Sequence, residues 1–292
     1  MGFILLGTLN MQVIQGILPH LFATALCALL YAVLAFYFWR RHWSGTERAD
    51  IETPSRRGVE HAALLAPFAL HTWLLSNSMF GDSGLYLGVG TALSLILWLT
   101  VLIYGLGSLF YRLDGLHALV LPAAAIAVLL PLVFPSTHAL ANTQTWAFTA
   151  HLLISMLAYS LFTIASLHVM LMAIIERRLH AGTLPAALRS MPPLLTMETL
   201  LFRIITAGFV LLTLTIASGV LFSEEVFGKP ASFSHKTVFG VLSWLIFAAL
   251  LSGRVFYGWR GRTAVRWTLA GFLTLVLAYI GSKFVLEVIL GR

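Results

Sequence analysis

Apolar residues run along this chain in eight long blocks, at approximately 17–39, 60–78, 85–108, 116–134, 147–175, 199–222, 236–257 and 267–288. Each approaches or exceeds the roughly 20 residues that carry a helix across a bilayer core. Short polar breaks separate the blocks: Gly81-Asp82-Ser83-Gly84, Pro135-Ser136-Thr137, Ser223-Glu224-Glu225 and several arginine clusters. Inside hydrocarbon the backbone must bond to itself, which excludes open strands and predicts helices. The expected fold is all-α, a polytopic membrane bundle of about eight transmembrane helices in one transmembrane domain over residues 1–292. The longest break, about 176–198, is too short for a second domain, and no internal repeat is visible.

Composition agrees with lipid as the solvent. The chain is 59% hydrophobic and 10% charged, with mean hydropathy +0.92, where a soluble domain carries about a quarter charged residues. A formal charge of +7 raises nucleic acid as a partner. The basic residues, however, gather in a few short loops without the basic face and interleaved aromatics of a nucleic-acid surface. Nucleic acid is therefore set aside and membrane lipid expected. Fourteen of the 18 Lys and Arg lie on one side: Arg40, Arg41, Arg48, Arg56 and Arg57; Arg112; Arg177, Arg178, Arg189 and Arg203; Arg254, Arg260, Arg262 and Arg266. The positive-inside rule puts that side in the cytoplasm and both termini outside, as in a multi-pass protein of a bacterial inner membrane. The first nine residues lack a basic n-region and a small-residue cleavage site, so a cleaved signal peptide is not expected. The lone cysteine, Cys27, sits in an apolar block and is expected to pack there, with no disulfide, CxxC pair or CxxCH haem-attachment site in the chain.

Ten histidines hold most of the candidate chemistry. His42 and His180 fall in arginine-rich loops, His61 and His117 open helices at the inner surface, and His138 lies in a short outer loop; these read as ordinary loop and interfacial residues. His151 heads the fifth helix at the outer interface, and Ser155, Tyr159 and Thr163 follow at four-residue steps, with Ser166 close behind. That spacing makes a polar stripe on one helical face, which should turn toward the bundle. His235 heads the seventh helix at the same end, followed by Lys236, Phe239 and Ser243. Two imidazoles at one depth suit the axial positions of a haem iron, with apolar walls and Lys229 or Lys236 for the propionates. The same spacing admits two interfacial histidines in separate roles. His71, His168 and His20 are further ligand or relay candidates. Glu198 with Arg203, and Lys283 with Glu287, are expected local ion pairs. There is no nucleophile–base arrangement, phosphate loop or paired carboxylate, and no acid near the midplane where a proton-coupled transporter buries one.

The run from His151 to Ser160 (HLLISMLAYS), then Gly219-Val-Leu-Phe-Ser-Glu-Glu and His235-Lys-Thr-Val-Phe-Gly-Val-Leu-Ser-Trp244, resembles the CcsA/HemX-like cytochrome c assembly family, in particular its short inner-membrane YpjD-type members. The resemblance implies haem handling at the outer face in support of cytochrome c maturation, by an assembly factor rather than an enzyme, alongside other assembly components. It implies that His151 is the family's outer-face histidine and that haem, if held, is non-covalent and b-type. The chain departs from the family in three places. Phe233-Ser-His-Lys-Thr237 stands where a Trp-rich acidic loop is expected, Ser252 replaces a second histidine, and the last outer histidine is missing near Lys283 and Glu287. Three functions stay open at this point. One is a haem-handling factor with His151 and His235 as iron ligands and Lys236, Ser155, Tyr159 and His71 as further cofactor contacts. Another is a small-solute or ion transporter, or its accessory subunit, with a midplane cavity lined by His71, Ser155 and Tyr159. The third is a structural scaffold partner in a membrane complex.

Overall fold

The structure, a computed structural model, describes residues 2–43, 54–81, 84–110, 115–136, 139–140, 143, 145–182, 193–223 and 235–278, with side chains over 18–40 in the first segment and from 58 in the second. Among these residues the protein is helical apart from one small hairpin and short connections. The helices are α1 (Gly2–Trp43), α2 (Pro54–Met79), α3 (Val89–Phe110), α4 (His117–Ala127), α5 (Leu130–Val133), α6 (Trp146–His180), α7 (Leu194–Leu221), α8 (His235–Tyr257) and α9 (Arg262–Val276). Five are long and apolar enough to cross a membrane: α1 over Leu18–Arg40, α3, α6, α7 and α8. The expected all-α polytopic bundle is the one found.

The apolar blocks place these helices closely, and the differences have local causes. Residues 84–88 do not open α3: Phe80–Gly81 and Gly84–Leu85 pair as an antiparallel hairpin, β1 and β2, with Phe80 opposite Leu85. Gly84 has φ near +130°, backbone that only glycine adopts without strain. The single helix expected over 116–134 is broken into α4 and α5. Pro131 has no N–H for the carbonyl of Ala127, and its ring crowds that carbonyl, so the ladder stops at Val128 and Leu129 and restarts one turn on. α6 continues beyond the expected residue 175 to His180, because Arg177, Arg178 and His180 in its last turn suit the negative helix terminus. Its other end is capped by Thr145, whose side chain accepts from Phe148 N at 3.3 Å. The last crossing starts earlier than expected, at Arg262. Residues 279–288, with the expected Lys283–Glu287 pair, lie outside the described residues.

α6 is the hub. It packs on α3, α7 and α9, while α1 packs on α2 and α4, and α8 on α7 and α9. In its most apolar window 72% of residues are buried, against 17–33% for the other four crossings, whose remaining surface faces lipid. Helices in lipid gain little from apolar burial against one another, so close backbone approach and interhelical hydrogen bonds carry the contacts. Both are present. Phe162 of α6 stacks on Phe247 of α8 with ring centroids 3.9 Å apart. A Cβ at Gly208 would meet the Phe162 ring at 3.1 Å, and one at Gly271 would meet Phe247 at 2.8 Å, so these two glycines admit the rings. Tyr159 Oη donates to Leu275 O (2.9 Å) and Ser243 Oγ to Gly271 O (2.9 Å), while Ser160 Oγ shares its proton between Met156 O of its own helix (2.8 Å) and Ile96 O of α3 (3.1 Å).

At the arginine-rich end, the buried Glu198 of α7 pairs with Arg254 of α8 and stands 3.7 Å from Arg260. The expected partner, Arg203, is instead exposed. A turn and a half separates the positions of Glu198 and Arg203 on the helix, which points them to different sides. His117, expected as an ordinary interfacial residue, is buried. It stacks on Phe38 at 4.2 Å, and its Nδ1 lies 2.7 Å from Tyr104 Oη.

The charge-derived orientation has a simple check. Alkaline phosphatase, active only outside the cytoplasm, is expected to be active when inserted after Gly81 in the hairpin and inactive when inserted after Gly182 beyond α6. The reverse pattern would invert the topology.

Candidate functional site

The polar stripe of α6 is turned into the bundle as its spacing requires: Ser155, Tyr159, Thr163 and Ser166 are all buried. Its head, His151, is half-buried against α7. Ser218 Oγ gives its single proton to Thr215 O at 3.1 Å. The same oxygen stands 2.9 Å from His151 Nδ1. A ring nitrogen tied to a neighbouring hydroxyl fixes the orientation of the imidazole, as the outer partners of ligand histidines commonly do. Gly219 completes the seat. A Cβ there would stand 3.3 Å from His151 Cε1, so any larger residue would press on the ring. Around this end, Trp146 meets Phe222 edge-on at 5.4 Å, and Trp146, Val220 and Leu221 are exposed, an apolar rim at the ends of α6 and α7.

His235 is the first residue of α8, and it and Lys236 are exposed at that helix start. Ser155 Oγ donates to Leu152 O at 2.9 Å, one turn beneath His151. Tyr159 bonds across to α9, as given above. His71 lies elsewhere, fully buried between α1 and α3, with Nε2 2.9 Å from Ser94 Oγ and Nδ1 3.4 Å from Tyr31 Oη. It lines a cavity with His20, Thr24, Ser78, Ser94 and Pro131. Only about 10 Å³ of that cavity is open to the centre of a water molecule, room for roughly one water and not for a macrocycle. Tyr159 and Ser155 do not border it.

Cys27, at 0% exposure, packs as expected and offers its thiol to Pro67 O at 3.4 Å. His168 is buried in α6 with Nε2–H donating to Met197 O at 3.0 Å. Lys229 and His138 lie outside the described residues. Periodicity could not reveal Ser218, because it acts across 67 residues of chain, although Gly219 beside it opens one of the family-like runs.

Comparison with known proteins bears on what this site serves. Residues 60–290 match the family model for cytochrome c assembly proteins. Inner membrane protein YpjD of Escherichia coli (strain K12) is 31% identical over 222 residues, which cover 76% of this chain and 82% of that protein. Cytochrome c biogenesis protein CcsA of Prochlorococcus marinus (strain NATL2A) is 36% identical over 85 residues, 29% of this chain and 27% of that protein. The same-named protein of strain AS9601 is 39% identical over 88 residues, 30% and 28% respectively. The family match spans most of the chain and includes α6, α7, α8 and the His151 seat, so this multi-pass inner membrane protein belongs to the cytochrome c assembly protein family.

Proposed function

We propose that the chain is a non-enzymatic assembly factor for c-type cytochromes that binds haem at the outer ends of α6, α7 and α8. The observation that carries this reading is the seat of His151, whose Nδ1 lies 2.9 Å from Ser218 Oγ and whose ring packs against Gly219. His151 and His235 would hold the iron and Lys236 a propionate; His235 and Lys236 are exposed at the start of α8. Ser155 and Tyr159 serve as the floor, since their hydroxyls are committed to backbone carbonyls. His71 has its own partners and takes no part. The haem is non-covalent and b-type, because the one thiol is buried against Pro67. Bound haem would supply an iron that takes imidazole nitrogen; the protein's own residues would orient the His151 ring and offer that of His235. Other components of cytochrome c assembly are the expected partners, and lipid surrounds the bundle.

The test is genetic. Deleting the gene in its host is expected to reduce the haem-stained, covalently loaded c-type cytochromes, and wild type but not His151→Ala is expected to restore them. Undiminished staining in the deletion strain would refute the assembly role. A finer test concerns orientation. Ser218→Ala leaves His151 in place but frees its ring, and is expected to weaken haem binding by about 10-fold in a titration. Unchanged affinity would remove Ser218 from the site.

A further inference from the structure

A serine or threonine hydroxyl inside a membrane helix ordinarily donates to the carbonyl three or four residues back, since lipid offers nothing else. This chain follows the habit at Thr72, Thr100, Ser160, Thr163, Thr206 and Thr274. Ser166 of α6 and Thr268 of α9 break it. They are 3% and 0% exposed, and neither hydroxyl has a hydrogen-bond partner. A hydroxyl in an apolar interior is costly to leave unpaired, so two together call for a polar ligand.

Helical periodicity puts the two orphans on the facing sides of α6 and α9. Tyr159 Oη reaches Leu275 O, which sets the register between α6 and α9. Ser166 lies seven residues after Tyr159 and Thr268 seven before Leu275. Seven residues is close to two helical turns, so each returns to the same face. The two helices run antiparallel, so both steps descend toward the arginine-rich end and leave the hydroxyls within about one turn of the same depth. Thr268 belongs to the buried stripe Ala264, Thr268, Gly271 and Leu275. The neighbouring layer is the apolar Phe162–Phe247 stack.

We propose that α6 and α9 enclose an internal water site, with water bridging Ser166 Oγ and Thr268 Oγ1. The ligand is neutral because two hydroxyls contribute no charge to balance an ion in an apolar setting. It must both donate and accept, which water does, and the carbonyls of Phe162 and Ala264, one turn back on each helix, provide the further acceptors a buried water needs. The α6–α9 seam is thereby hydrated at this layer. The site is independent of the proposed haem function.

An experimental structure of the intact protein resolved finely enough to show ordered solvent tests this directly. A solvent peak within hydrogen-bond distance of both hydroxyls is expected. Hydroxyls bonded to each other, or turned back onto the Phe162 and Ala264 carbonyls with no solvent between, would overturn it. Thermal unfolding of Ser166→Ala, Thr268→Val and the double variant gives a second measurement. Each single change strands the water on one hydroxyl and lowers the midpoint, while the double change removes the need for water and costs less than the sum. Additive losses, or no loss in either single variant, would count against a shared water.

Discussion

Changing His151 to alanine is expected to reduce haem bound by the purified protein by about 100-fold or more in affinity, with the fold intact. Losing a group that only orients a ligand typically costs about 10- to 100-fold, and loss of the ligand itself exceeds that. The fold should survive, because His151 is half-buried at a helix end and its removal opens space toward the exposed apolar rim rather than inside the core. His180→Ala, exposed at the far end of the same helix, is the control and should bind haem as wild type does. Haem titration of the three proteins in detergent decides it. Equal affinity in His151→Ala and wild type would remove His151 from any haem site.

Glu198→Ala is expected to carry the largest structural cost, about 3 kcal/mol, because it leaves a largely buried guanidinium without its carboxylate. Glu198 ties α7 to α8 through Arg254 and to the turn before α9 through Arg260. Arg254 also donates to Trp259 O at 3.3 Å and sits 4.7 Å above the Phe202 ring. The pair therefore holds three elements together at the arginine-rich end of the bundle. Glu198→Gln keeps an acceptor and should cost less. Arg203→Ala, exposed and outside this network, should stay within about 0.5 kcal/mol of wild type. Unfolding midpoints in detergent should rank wild type, Glu198→Gln and Glu198→Ala in falling order. A Glu198→Ala protein as stable as wild type would show the clamp to be dispensable.

The architecture was readable from the chain because lipid imposes one rule on every crossing: about 20 apolar residues with all backbone groups bonded internally. The polar stripe on α6 was readable for a similar reason, since a period of 3.6 residues settles which side chains share a face. Partners across the bundle were not. Ser218 meets His151, Arg254 meets Glu198 and Tyr104 meets His117 only once helices distant in sequence pack together, and no local period encodes that meeting. The break before Pro131 was legible in principle, because proline removes a helical donor, but the unbroken apolar text around it hid the signal. The family resemblance in α6 to α8 pointed to His151 directly. It did not point to the Ser218 hydroxyl beside the ring, because serines are common in membrane helices and no local pattern singles this one out.

The most direct test of the central claim is the absorption spectrum, oxidised and dithionite-reduced, of detergent-purified wild type beside His151→Ala and His235→Ala after haem supplementation. A site with His151 and His235 as axial ligands predicts a six-coordinate Soret band and a sharp reduced α-band in wild type, each weakened in both variants. Three spectra without a Soret band would contradict haem binding at the outer ends of α6 and α8.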